Sequence, residues 1–90
     1  MLRQGRDMAW VDEGDQVVVL HLPTGTYRGL PGTARLVWLL LLETGSVEET
    51  IATLQTGFEV PVEVLEADVR ATVEQWLRDE WVEDDGEEPA

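Results

Sequence analysis

The sequence predicts an α+β domain: a three-stranded antiparallel sheet followed by three helices packed on one side of it. Three observations carry this reading. Val17 to Leu42 passes from strand composition through a Pro23-Thr24-Gly25 turn to a second strand and an apolar helix. Beyond Gly45, apolar residues recur at helical spacing in two further segments separated by Thr56-Gly57 and Pro61. Ahead of Val17 there is room for one short strand and a turn.

Taken in order, Met1 to Asp7 carries no pattern and is expected to fray. Met8 to Val11 is the first strand, and Asp12-Glu13-Gly14-Asp15 closes it as a turn with Gly14 at positive φ. In the second strand, Gln16 to Leu22, Val17, Val19 and His21 point one way and Val18, Leu20 and Leu22 the other. Both faces are mostly apolar, which suits a central strand. Thr26 to Leu30 is the third strand. In a meander it lies at the sheet edge and leaves a row of backbone N–H and C=O groups unpaired.

Helix one is expected from Pro31 or Gly32, with Thr33 as its cap. Ala34, Val37, Trp38 and Leu41 form its core stripe. Leu36, Leu39, Leu40 and Leu42 make it apolar nearly all round, either as more core or as a surface for a partner. Gly45 suits the left-handed position that ends it. Ser46-Val47-Glu48-Glu49 reads as a capping box for helix two, Val47 to about Gln55, whose apolar side is Val47, Ile51 and Leu54. Phe58 can tuck into the core from the following link. Pro61 opens helix three, where its missing N–H costs nothing. Val62, Leu65, Val69, Thr72 and Trp76 share one stripe, Val73 and Leu77 widen it, and the helix is expected to end near Trp81-Val82. Residues 83–90 form an acidic tail expected to be disordered, so the folded domain is 1–82.

A formal net charge of −13 makes nucleic acid and anionic membrane poor partners. A neutral or basic peptide or protein is better tolerated. The chain has no cysteine, and its longest apolar run, Leu36 to Leu42, is too short to cross a bilayer. The expectation is a cytoplasmic protein. Enzymatic chemistry finds little to use: His21 is the single histidine and sits in a strand pattern, while Ser46 is explained by capping. Neither a phosphate-binding glycine loop nor a metal-ligand spacing is present, so no cofactor or metal is expected.

The order of strands and helices resembles a winged helix-turn-helix. Particular residues narrow this. The run Leu20-x-Leu22-x-Thr24-Gly25-x-Tyr27-x-Gly29-Leu30, then Ala34-Arg35-x-Val37-Trp38, resembles the family of pyrroloquinoline quinone biosynthesis protein D. So do Val47-Glu48-Glu49-x-Ile51, Val60, Glu66-Ala67-Asp68-Val69 and the closing Trp81-Val82. The resemblance spans Val17 to Val82. It departs at Pro31, where the family commonly has Asn, at Glu80, where it commonly has Gly, and at Trp76, larger than the usual Leu.

The resemblance implies a recognition element that binds the leader segment of a ribosomally made precursor peptide. The leader would add a strand to the third strand and rest against helix three, an ordinary mode of peptide capture. It further implies presentation to processing enzymes. A free-standing acidic chain of this length is similar to the leader-binding proteins of lasso-peptide pathways, whose partners are a leader peptidase and a cyclase. On this reading Tyr27, Arg28, Gly29 and Leu30 offer main-chain pairing; Val69, Thr72, Val73 and Trp76 floor the cleft; and Asp68 and Arg70 fix register. Leu36, Leu39 and Leu40 are the candidate surface for a partner enzyme. Taken singly, Val69 and Trp76 also fit plain core positions, and Tyr27 could simply pack on the sheet. Two readings from other classes stand beside this one: a dimerising adaptor using the leucines of helix one, and a winged-helix DNA-binding regulator. The second sits poorly with Glu63, Glu66, Asp68, Glu74, Asp79 and Glu80 on helix three.

Overall fold

The computed structural model describes residues 1–57 and 59–84. Its elements are β1 (Leu2–Gln4), β2 (Met8–Asp12), β3 (Gln16–His21), β4 (Thr26–Pro31), α1 (Thr33–Thr44), α2 (Val47–Gln55), α3 (Val62–Arg78) and β5 (Val82–Asp84). The α+β expectation holds: β2, β3 and β4 form the antiparallel three-stranded sheet, in that order, and the helices follow. Val17 pairs with Leu30, Val18 with Gly29, Val19 with Arg28 and Leu20 with Tyr27. Because side chains alternate along a strand, Val17, Val19 and Leu30 face the helices and are buried. Val18, Leu20 and Tyr27 face away.

The core fills the space between that inner face and the helices. Val37, Trp38 and Leu41 of α1 and Leu65, Val69, Val73 and Trp76 of α3 are buried in it. Trp38 is fully buried, and its ring meets Trp10 of β2 at 6.2 Å and Trp76 of α3 at 5.2 Å, both edge to face. Its indole Nε1 has no hydrogen-bond partner among the described residues.

Local chemistry sets the helix ends. Gly45 closes α1 at φ 70°, its N–H donating to the Leu41 carbonyl at 2.8 Å. The Ser46 hydroxyl accepts the Glu49 N–H at 3.1 Å, which is one half of the expected capping box. Thr50, fully buried, donates to the Ser46 carbonyl at 2.8 Å and locks the corner between α1 and α2. Thr33 does not cap α1. The preceding residue, Gly32, takes that place at φ 59°, with no side-chain hydrogen bond, because β4 runs on through Pro31 and the chain must reverse within one residue.

The two ends of the chain differ from expectation. Leu2–Gln4 is not frayed: it pairs antiparallel with Val82–Asp84, Gln4 opposite Val82. The acidic tail therefore begins as a strand through Asp84, and residues 85–90 lie outside the described residues, as does Phe58. Arg3 and Arg6 each reach Glu83, at 3.1 and 3.7 Å, and the Arg6 N–H donates to the same carboxylate. These contacts hold its pKa below the usual carboxylate range, the Arg6 N–H first and the Arg3 guanidinium next. Helix α3 also stops earlier than expected, at Arg78. Glu80 stands in the left-handed region at φ 65°, its N–H donating to the Leu77 carbonyl at 3.1 Å and that of Trp81 to the Trp76 carbonyl at 2.8 Å. This is a Schellman ending with glutamate at the position that favours glycine. The turn frees Trp81 and Val82 to run back along β1.

Two outcomes follow. Gly5 is buried, its N–H donates to the Trp81 carbonyl at 2.8 Å, and a Cβ there would strike the Glu80 carbonyl oxygen. Gly5→Ala should therefore cost about 1–3 kcal/mol in urea unfolding, as overpacking against backbone does. Glu80→Gly should raise stability by about 0.5–1 kcal/mol by relieving a left-handed residue; a loss of stability would show that the Glu80 side chain matters more than its backbone.

Candidate functional site

A three-stranded sheet has two edges, and here they differ. At β2, the Gln4 side chain donates to the Met8 carbonyl at 2.6 Å and accepts the Trp10 indole N–H at 2.9 Å. At the far end of the strand, Arg35 grips both oxygens of Asp12 at 2.8 and 2.9 Å and holds the Asp12 pKa below the usual carboxylate range. The β2 edge is thus partly occupied by the chain itself. The outer side of β4 has no strand against it among the described residues, and every β4 residue except Leu30 is exposed.

The residues proposed from sequence for main-chain pairing all lie on this strand, with side chains in three settings. Tyr27 lies on the outer face, 75 % exposed. Arg28 is on the inner face, its guanidinium carbon 5.6 Å from the centre of the Trp81 ring. Leu30 is core, and Gly29 shares the outer face with Tyr27, where a Cβ would meet only the flexible end of Gln16.

The α3 residues divide differently. Asp68, Val69 and Thr72 line a groove of about 430 Å³ with Thr33, Ala34 and Val37 of α1 and Val60, Val64, Leu65 and Ala71. This groove opens where β4 hands over to α1. Val73 and Trp76 are buried in the core and do not line it. Arg70 turns the other way, to Glu66 at 3.2 Å and Glu48 at 3.4 Å, which raise its pKa in that order. It ties α3 to α2 and is not brought to the groove. Leu36, Leu39 and Leu40 are half-buried against the core.

Two further features escaped the sequence reading. Near the start of β4, a polar depression of about 280 Å³ is lined by His21, Thr24, Thr26, Arg28, Asp79 and Trp81. Within it His21 Nδ1 lies 2.9 Å from the Thr24 hydroxyl, which donates to Thr26 at 2.9 Å. On the side of the sheet away from the helices, Ala9, Trp10, Val11, Val18, Leu20 and Tyr27 surround a shallow apolar hollow of about 380 Å³. The sequence reading also passed over Val64 and Ala71, although their spacing puts them on one face of α3 with Asp68 and Thr72; the return of Trp81 beneath Arg28 depends on the left-handed turn at Glu80, for which a glutamate gives no local signal.

Among the described residues no group of histidine and acidic side chains could hold a metal ion, and no helix is long and apolar enough to cross a membrane. The site is a backbone edge beside an apolar groove, which suits an extended peptide. No curated protein matches the chain by sequence. Two solved structures are similar to it throughout. One, "TbiB1 in Complex with the TbiA(beta) Leader Peptide", is 29% identical, with a TM-score of 0.81 over 96% of this chain and 98% of that one. The other, "Lasso peptide synthetase B1 complexed with the leader peptide", is 23% identical and shows the same fold, with a TM-score of 0.81 over 90% of this chain and 95% of that one. The family described as coenzyme PQQ synthesis protein D matches residues 16–82, from the first residue of β3 into β5, and the chain belongs to that family.

Proposed function

We propose that this protein binds the leader segment of a ribosomally made precursor peptide, in lasso-peptide biosynthesis, and presents it to processing enzymes. The observation that carries this is the open β4 edge, which leads through Gly32 to Thr33 and Ala34 in the wall of the groove between α1 and α3. An added strand would take main-chain hydrogen bonds from Tyr27 to Leu30, which do not depend on the leader's side chains. Selection would come from the groove, where Val64, Val69 and Ala34 offer apolar walls and Asp68 and Thr72 polar rims. Val73 and Trp76 would act one layer below, holding α3 in place. The family match and the likeness to a 29% identical protein solved with a leader peptide support the same reading. The protein itself would carry no catalytic step.

Presentation requires a second surface. The leucines Leu36, Leu39 and Leu40 are candidates, but each gives part of its area to the core. The hollow on the outer sheet face offers more, since Val11 is 55 % exposed and Tyr27 75 %. We place the leader peptidase there.

Leader binding is tested by fluorescence anisotropy with the labelled leader of the precursor encoded beside this gene. Saturable binding at micromolar concentration or tighter, about 8 kcal/mol or more, lost on scrambling the leader, is expected; no binding by the folded protein overturns the proposal. The edge is tested by Thr72→Phe and by paired prolines. Thr72→Phe should fill the groove and weaken binding while circular dichroism is unchanged. Successive N–H groups of a strand point to opposite sides. So of Arg28→Pro and Gly29→Pro, one should lower stability by breaking a bond to β3, and the other should spare stability and weaken leader binding. For the second surface, Val11→Glu should reduce peptidase capture in a pull-down and Leu39→Glu should not; the reverse result would return the partner surface to α1.

A further inference from the structure

The chain has no lysine, and its cations are six arginines. Four are held by carboxylates: Arg3 and Arg6 by Glu83, Arg35 by Asp12, and Arg70 by Glu66 and Glu48. Arg78 donates to the Gln75 side chain at 3.0 Å. The Arg28 guanidinium alone has neither ion pair nor hydrogen bond among the described residues; its contact is the face of Trp81. In a protein of net charge −13, an arginine with neither ion pair nor hydrogen bond is out of keeping with its surroundings.

Its position gives it a use. Arg28 is on the open edge strand, on the inner face, opposite Val19 on the β3 side. A strand added on the other side would place one residue beside Arg28, facing the same way, with Cβ atoms about 5 Å apart. That residue would enter the depression lined by Trp81, Thr26, Thr24 and His21. The Trp81 ring already orients the guanidinium, so its planar fork is set to bind two oxygens at once. Asp79 stands on the rim but is not within ion-pair distance of Arg28, so the fork is not spent on it.

Resting on the leader-binding reading above, we infer that Arg28 is a specificity-determining residue: it takes an aspartate or glutamate side chain of the leader, and this pair sets the register of the added strand. Main-chain bonds alone allow a strand to slip by two residues with little change. Elsewhere the acidic surface repels a carboxylate, and Arg28 offers it one place. Arg70, expected with Asp68 to fix register, is already committed to Glu66 and Glu48.

The test is a double-mutant cycle read by anisotropy, with the same labelled leader. Arg28→Gln should weaken binding about tenfold, the loss of one charge-assisted pair, with circular dichroism unchanged and the loss shrinking at high salt. Arg28→Lys should recover part of the affinity. Each acidic residue of the leader is changed in turn to its amide. One such change should cost as much as Arg28→Gln, and the two together should cost no more than either. Binding by the wild-type protein with additive losses at every position, wild-type affinity in Arg28→Gln, or tight binding of a leader lacking acidic residues would each overturn the inference and leave leader binding standing. Coupling of Asp79→Asn to a basic leader residue would overturn it too, since the depression would then take a cation. No binding by the wild-type protein would instead remove the reading on which the inference rests.

Discussion

The position of Trp38 decides the rest of the arrangement. It projects from α1 into the middle of the core and is touched edge to face by a tryptophan from the sheet and another from α3. One side chain thereby spaces three layers. Helix α3 is held through this stack, through α2 and through β5, and none of these ties crosses the outer side of β4. The edge can remain open because the helix beside it is fixed from behind. A smaller residue at position 38 would let α3 settle inward, and the groove between α1 and α3 would lose its shape before the sheet lost its pairing.

The second constraint is the clasp between the two ends of the chain. The ion pairs of Arg3 on β1 and Arg6 just after it with Glu83 on β5 would be weak alone, since exposed ion pairs contribute little. Here they add to main-chain pairing, to the buried Val82 side chain and to the close approach of Gly5 to the turn at Glu80. The clasp also closes the three-residue span, Asp79 to Trp81, that brings Trp81 beneath Arg28. Strain in one backbone position is thus coupled to the placement of a side chain on the open edge.

The strands and helices were legible because their periods were clean. Val17 and Val19 alternate, the α1 stripe repeats at helical spacing, and Ser46 and Gly45 carry their own capping chemistry. What stayed hidden was set by partners distant in sequence. Leu2 to Gln4 has no pattern of its own and becomes a strand only because Val82 to Asp84 returns beside it. Glu80 is an unfavourable residue for a left-handed turn, so it concealed the helix end. In the site, Asp68, Val69 and Thr72 were assigned to the cleft through the family resemblance, and they line the groove. Val73 and Trp76 fell in the core, because the apolar stripe of a helix marks a buried face and does not say which part of it borders a cleft. Arg70 was assigned to the site without knowledge that α2 would bring Glu48 to it.

The four tryptophans divide into two optical populations. Trp38 and Trp76 are buried, Trp10 is half-buried against Trp38, and the three stand edge to face, close enough for their electronic transitions to mix and to exchange excitation. Trp81 lies outside that stack, half-buried, with a cation over its ring. The near-ultraviolet dichroism of this protein should therefore report the integrity of the interior, while quenching by small solutes should report the two half-buried rings, Trp10 on β2 and Trp81 at the mouth of the polar depression. The molecule carries separate intrinsic probes for its scaffold and for its edge, with no label attached.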